Sequence, residues 1–265
     1  MNATGDDDNA IVLISGGASG IGRHVAEAFL DQGAQVHVCD ASQEFIDEFL
    51  AANPSATATL ADVSDVDQVL TVFADLDTHH GGLSTLILNA GIAGPTAAVE
   101  DVAIEEWDRC ISVNQSGAFY VVREAVPRLK ANGSGSIINV ASNAGLFGCP
   151  NRSPYVASKW AMIGLMKTWA MELGPFNIRV NAVCPTSVEG ARIERVIARD
   201  ASARGLSEEQ IREVYQRQSS MRTFVSADDV TEMVMFLASD RAARISGQAI
   251  AVDGNTETLA NWMDD

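Results

Sequence analysis

Lysine is scarce in this chain. Of 265 residues only Lys130, Lys159 and Lys167 carry an ammonium, and 18 Lys plus Arg face 35 Asp plus Glu, a formal net charge of −17. Such a surface repels phosphate backbones and anionic lipid, which argues against nucleic-acid and membrane partners. Long apolar runs are missing too: nothing approaches the ~18 uninterrupted apolar residues of a transmembrane helix. The first nine residues hold Asp6, Asp7 and Asp8 instead of the basic segment and apolar core of a leader. The expectation is a cytoplasmic protein with a disordered tail at 1–9 and one domain over 10–265. Paired cysteines are lacking as well. Cys39, Cys110, Cys149 and Cys184 lie far apart, so they read as small buried hydrophobes and not as a disulfide framework or metal site. His79 and His80 are adjacent, and two neighbouring ligands cannot make a metal site alone, so no metal is expected. At 47% hydrophobic residues with 21 Gly and 7 Pro, the composition excludes disorder, collagen-like sequence and a small stapled scaffold.

What is there is a rhythm. Short apolar, β-branched runs at Ala10–Ser15, Gln35–Cys39, Thr57–Ala61, Thr85–Leu88, Ser136–Ala141, Arg179–Val183 and Ala249–Val252 read as strands buried on both faces. Helical patterns lie between them at Gly20–Asp31, Gln43–Ala51, Asp65–His79, Ile104–Ala131, Ser153–Leu173 and Ala227–Ala238. This alternation predicts an α/β fold, a single Rossmann-like doubly wound parallel sheet of about seven strands. The segment 186–225 breaks the rhythm after the sixth strand. Long, charged and helical in tendency, it is a candidate substrate lid.

The first strand runs into Ser15-Gly16-Gly17-Ala18-Ser19-Gly20-Ile21-Gly22 and then an amphipathic helix. Gly16, Gly20 and Gly22 provide a tight turn and close backbone approach, and the helix N-terminus faces the negative charge of a pyrophosphate. Asp40 ends the second strand about twenty residues on, where a carboxylate can accept from both adenosine ribose hydroxyls. A 2′-phosphate there would meet like charge with no basic neighbour, so NAD is expected over NADP; a cap of the next helix is the alternative role. Asp62, after the third strand, can reach the adenine amino group or cap the following helix. Tyr155 and Lys159 are four residues apart and share one helical face. An ammonium there, with the positive nicotinamide ring, favours the phenolate of a tyrosine otherwise titrating near 10. Tyr155 can then take the hydroxyl proton in oxidation or donate it in reduction. Ser142 at a strand end can hold the substrate oxygen.

With Gly16-x3-Gly20-x-Gly22, Asn89-Ala90-Gly91, Asn114, Ser142, Tyr155-x3-Lys159 and Val252-Asp253-Gly254 in order, the chain resembles the short-chain dehydrogenase/reductases over nearly its whole length. The resemblance implies a nicotinamide dinucleotide, an alcohol or carbonyl substrate, and Asn114, Ser142, Tyr155 and Lys159 as the catalytic group, with Asn114 holding a water that links the lysine to solvent. It implies a cofactor site of Ser15, Gly16, Ser19, Gly20, Ile21, Gly22, Asp40, Asp62, Val63, Asn89, Ala90, Gly91, Tyr155, Lys159, Pro185 and Val188. One departure stands out. Where the family commonly has Pro-Gly-x-Val-x-Thr, this chain has Pro185-Thr186-Ser187-Val188-Glu189-Gly190, which removes a turn glycine and a threonine from the base of the lid. Ser15 replaces the usual threonine and keeps the hydroxyl.

Competing readings are a sugar-nucleotide epimerase or dehydratase, which would need a larger C-terminal domain, an enoyl reductase, expected to space Tyr and Lys further apart, and a non-catalytic NAD(H)-sensing protein, which has no need of Ser142, Tyr155 and Lys159. The helix from Ser153 carries Trp160, Met162, Ile163, Met166, Trp169 and Leu173, more apolar surface than one stripe against a sheet requires. With the resemblance, this points to a homotetramer. Arg152, in the loop before Tyr155, and Arg192 and Arg195, early in the lid, are candidate ligands for a substrate anion. The alternative is that they pair with Glu189, Glu194 and other local acids on a solvated lid.

Overall fold

A computed structural model describes residues 10–260; the expected tail at 1–9 lies outside the described residues. Seven strands, β1 (Ile11–Ser15), β2 (Gln35–Asp40), β3 (Thr57–Leu60), β4 (Thr85–Leu88), β5 (Gly135–Val140), β6 (Ile178–Pro185) and β7 (Ala249–Val252), form one sheet in the order β3-β2-β1-β4-β5-β6-β7. Every neighbouring pair is parallel. The winding direction reverses between β1 and β4, so the loops after these two strands part and leave a crevice at their carboxyl ends.

The helices are α1 (Gly20–Asp31), α2 (Gln43–Ala52), α3 (Val66–His79), α4 (Ile104–Ile111), α5 (Ala118–Asn132), α6 (Ser153–Leu173), α7 (Ala191–Arg204), α8 (Glu208–Arg217) and α9 (Ala227–Ala238). Period-two alternation sorts β1 between two cores. Val12 and Ile14 pack with α1, α2 and α9 through Val25, Phe29, Phe49 and Val234. Leu13 packs on the other face with α3, α5 and α6 through Phe73, Leu129, Met162 and Met166. The segment 186–225, the candidate lid, has a small core of its own, Ile193, Ile197 and Ala201 of α7 against Ile211 of α8 and Phe224. Its two ends are tied at the base, where Glu189 N–H donates to the Val225 carbonyl (2.9 Å) and Val225 N–H to that of Ser187 (3.2 Å).

Two expectations are corrected. The single helix over Ile104–Ala131 is interrupted by a six-residue π-helical segment, Ser112–Gly117, of the kind that recurs at functional sites. The wider turn carries Asn114 inward to the loop after β4 and sets Gly117 so close to Val63 that a Cβ would lie 2.9 Å from the Val63 carbonyl oxygen. The apolar side chains of α6 are also mostly consumed at home: Met162, Ile163, Met166, Trp169 and Leu173 are buried in the chain's own core, and of the six only Trp160 is exposed.

Away from the crevice, β2, β3 and α3 are joined by a buried polar chain. His37 Nδ1 lies 2.7 Å from Thr57 Oγ1 and its Nε2 3.1 Å from Thr59 Oγ1, while Thr59 donates to Asp75 Oδ2 at 2.6 Å. His80 caps the C-terminus of α3 and its Nε2 sits 2.7 Å from Thr57 Oγ1. Burial, then the neighbouring His80, push the His37 imidazole down from 6.5 to about 4, against the opposing pull of Asp75. Between those values the unfolded chain binds the proton that the folded chain refuses, so stability falls as the pH drops from 6.5 towards 4, by ~3 kcal/mol over the full window. Urea unfolding midpoints at pH 6.5 and 4.5 are expected to differ less in His37→Gln than in the parent; equal differences would contradict the assignment.

Candidate active site

The turn from β1 into α1 is built by close approach. Gly16 adopts φ +62°, and a Cβ on Gly22 would lie 2.1 Å from the Gly16 carbonyl oxygen, so a side chain at 22 would break the loop. Asn89 Nδ2 donates to that same carbonyl at 2.7 Å, fastening the loop after β1 to the loop after β4. Ser19 precedes α1 in an extended conformation and its side chain makes no capping bond, which leaves the N–H groups of the first turn available to an anion. Ser15 does not reach the crevice. Its hydroxyl accepts from the Asn89 and Ala90 N–H groups, both at 3.2 Å, and so shapes the far wall from behind.

A cleft of about 860 Å³ runs from this loop across the carboxyl edge of the sheet to the lid. At one end stands Asp40, whose carboxylate accepts from Ala18 N–H (3.3 Å) and Ser42 N–H (3.2 Å). Burial raises its carboxyl above the usual range, and these backbone donors only partly offset that. Further donors such as a pair of ribose hydroxyls would suit it. The capping alternative is excluded, since Ser42 caps α2 by accepting from Phe45 N–H. Asp62 lines the same end but is already engaged: Oδ1 takes the Ser64 N–H and hydroxyl, and Oδ2 pairs with Arg109 at 2.6 Å. Burial opposes the charge, yet these partners hold its carboxyl below the usual range. The cap of α3 is Asp65.

At the other end β5, the loop beyond it and α6 bring three side chains together. Lys159 is 6% exposed; its Nζ donates to the Val140 carbonyl (3.3 Å) and sits 5.6 Å from the centre of the Tyr155 ring. Burial pushes the Tyr155 phenol up, but the Lys159 ammonium, the Arg192 guanidinium, a hydrogen bond with Ser142 and the Arg152 guanidinium together bring it below its ordinary value. Burial also lowers the Lys159 ammonium, more than the facing phenol restores. Such a tyrosine can pass a proton to and from an oxygen in the cleft.

The residues expected to bind a dinucleotide line this cleft, with two exceptions: Ser15, and Gly22 beneath the loop. Asn114, expected in the catalytic group, does not line the cleft either. Its carboxamide accepts from Ile92 N–H (2.8 Å) and donates to the Ile92 carbonyl (3.0 Å) and Ser158 Oγ (3.1 Å), pinning the loop that carries Asn89-Ala90-Gly91. Sequence reasoning missed Asn143. It accepts from the Ser142 hydroxyl at 3.3 Å and donates to Thr186 Oγ1 (3.0 Å) and Thr256 Oγ1 (3.1 Å). Thr186, the departure at the base of the lid, therefore supplies an anchor through its hydroxyl where the family pattern has a glycine. Nothing in the local pattern signals this, because the partners are 43 and 113 residues away. Arg199, a further cleft residue, was legible as the next turn after Arg195. Among the cysteines, Cys39, Cys110 and Cys184 are buried and all four are free, but Cys149 is only half-buried and borders the cleft.

Comparison with known proteins bears on this geometry. A family model described as Enoyl-(Acyl carrier protein) reductase matches residues 16–255. A D-beta-hydroxybutyrate dehydrogenase of Rhizobium meliloti (strain 1021) is 35% identical over 91% of this chain and 96% of its own length. The chain belongs to the short-chain dehydrogenase/reductase family. The crystal structure of an NAD+-bound xylitol dehydrogenase superposes with a TM-score of 0.90 at 26% identity, covering 95% of this chain and 100% of that one. A single-residue variant of actinorhodin polyketide ketoreductase, crystallised with NADPH, superposes at 0.88 with 30% identity, over 93% and 97%. The family shared with these dehydrogenases and reductases makes the protein an oxidoreductase of alcohols and carbonyls that needs a nicotinamide cofactor, and leaves the choice between NAD and NADP to the residues of the cleft. No helix among the described residues is long and apolar enough to cross a membrane.

Proposed function

We propose that this chain is an NAD-preferring dehydrogenase or ketoreductase that interconverts a secondary alcohol and a carbonyl, with Tyr155 as acid and base. The observation that carries the reading is one cleft bordered by Asp40 at one end and by Tyr155, Lys159 and Ser142 at the other. The dinucleotide, when bound, would accept the substrate's hydride in oxidation and return it in reduction. Asp40 and the first turn of α1 would hold its adenosine and pyrophosphate, and the backbone of Gly91 and Val188 would border its nicotinamide half. In oxidation the Tyr155 phenolate takes the substrate hydroxyl proton; in reduction the phenol returns it to the carbonyl oxygen. Ser142, held by the Ala144 N–H at 3.1 Å, steadies that oxygen while its charge changes. Lys159 keeps positive charge beside the phenol and would donate to the nicotinamide ribose.

Preference for NAD follows from charge. Among the described residues no basic side chain lies within 4.0 Å of Asp40, and Arg109, the basic group at that end, is neutralised by Asp62. A 2′-phosphate would face an uncompensated carboxylate. We assign the protein to a reducing, cytoplasmic setting on its four free cysteines. We read it as a homotetramer because Trp160, Gly164 and Met171 form an exposed stripe along α6, beside exposed Ile104, Trp107 and Phe119 on α4 and α5.

Tyr155→Phe is expected to lower kcat by at least about 1,000-fold, within the range for a lost general acid-base, while changing NAD affinity little; retained turnover would require another base. The ratio of kcat/KM with NAD to that with NADP is expected to exceed about tenfold, ~1.4 kcal/mol, and to collapse in Asp40→Ser; a parent that uses both equally would overturn the preference. Light scattering at micromolar concentration is expected to give four chains per particle, and a monomer would remove the tetramer.

A further inference from the structure

The lid's arginines divide into two populations. Arg204, Arg212, Arg217 and Arg222 each meet a carboxylate, respectively Asp200, Glu194, Glu213 and Glu257. Arg192, Arg195 and Arg199, which border the cleft, meet none within 4.0 Å among the described residues, and neither does Arg152 on the facing loop. On a chain with 35 acidic side chains against 18 basic ones, random placement would pair such arginines readily. The local pairing that the sequence left open is not made: Glu194 is held by Arg212, and Glu189, although it borders the cleft, lies within 4.0 Å of none of these arginines among the described residues.

Periodicity explains the segregation. On α7, Ile193, Ile197 and Ala201 turn into the lid's own core, so positions 192, 195 and 199, at spacings of three and four, share another face and point their guanidinium groups along the cleft. Arg152 approaches from the opposite wall. Its Nη2 donates to the Ala93 carbonyl at 2.9 Å and its guanidinium carbon lies 5.1 Å from the centre of the Tyr155 ring. Arg192 reaches the same loop two residues earlier, donating to the Gly91 carbonyl at 3.4 Å. Each guanidinium has five N–H donors, and these contacts occupy one apiece. The Nε of Arg152 is buried with no partner at all, although buried polar groups are normally satisfied. It marks a donor set awaiting an acceptor beside the reacting centre.

We propose that Arg152, Arg192 and Arg195 form a carboxylate site, and that the substrate is a short hydroxy acid or oxo acid whose carbinol or carbonyl carbon is thereby presented to Tyr155. This rests on the alcohol–carbonyl reading of the same cleft. Guanidinium forks match a carboxylate bidentately, and fixing the far end of a small flexible acid orients its reacting carbon. Arg199, one turn further along α7, extends positive charge towards the mouth and favours entry of an anion that the remaining acidic surface would repel.

The test uses the full chain with NAD and matched probes: both enantiomers of 3-hydroxybutyrate, their primary amides, and cyclohexanol as a neutral alcohol. The parent is expected to prefer acid over amide by at least about tenfold in kcat/KM, and Arg152→Gln and the double variant Arg192→Ala/Arg195→Ala are each expected to erase that ratio. Because both probes use the same tyrosine, the ratio cancels any change in Tyr155 itself. The double variant alters exposed helix positions and carries the test if Arg152→Gln does not fold. Calorimetric binding of butyrate, which has no carbinol, to the NAD complex is expected for the parent and lost in the variants. Amide turned over as efficiently as acid, or an acid-to-amide ratio unmoved by the substitutions, overturns the carboxylate site while leaving alcohol oxidation standing. Failure to oxidise cyclohexanol and every other probe overturns the alcohol–carbonyl reading on which the site rests.

Discussion

An ammonium that is 6% exposed at the carboxyl edge of a parallel sheet is a costly thing to fold around. Lys159 has the Val140 carbonyl on one side and the Tyr155 ring on the other, and among the described residues no carboxylate lies within 4.0 Å of it. Its charge is therefore relieved by making the phenol more acidic instead of by an ion pair, and the proton chemistry of the site follows from that arrangement. The fold supplies the means. Parting of the loops after β1 and β4 opens the cleft, β5 delivers Val140 and Ser142, and the four-residue spacing on α6 stacks lysine and tyrosine on one face.

Charge is distributed along the cleft against the trend of the surface. At one end the Asp40 carboxylate accepts backbone N–H groups but has no ion pair among the described residues, while Asp62 and Arg109 cancel. At the reacting end positive groups gather, Lys159 in the floor and arginines in the walls. Positive charge gathered at one end of a cleft, inside a chain of net charge −17, would stabilise phenolate and alkoxide character there in the proposed reaction. The candidate lid is tied to Ser142, since Asn143 bridges Ser142, Thr186 and Thr256. Movement of the lid base and placement of the Ser142 hydroxyl are thus linked through a single carboxamide.

The elements legible in the sequence were those governed by local periodicity. Continuous β-branched runs gave seven parallel strands, the glycine spacing gave the β1–α1 turn, and the Tyr155–Lys159 interval gave a shared face. What escaped was set by long-range packing. The π-helical turn at Ser112–Gly117 exists because Asn114 satisfies the backbone of Ile92, a partner 22 residues away. The apolar load of α6 reads as an interface from its sequence, yet five of its six large side chains fill the core under the sheet. Ser15 sits in the right motif but its hydroxyl faces the β4 turn, and Thr186 looks like a loss until its bond to Asn143 is seen.

The pH dependence of alcohol oxidation tests most directly whether Lys159 sets the acidity of Tyr155. The rate constant kcat/KM, measured at saturating NAD for the parent and for Lys159→Met, reports the titration of the group that takes the hydroxyl proton. In the parent it should rise with pH to a midpoint below the ordinary value for a phenol. Removing the ammonium destabilises the phenolate, so the variant's midpoint should move to higher pH, with residual activity recovered in alkaline solution. A variant whose midpoint stays where the parent's is would contradict the account, and the proton acceptor would have to be sought outside the Tyr155–Lys159 pair.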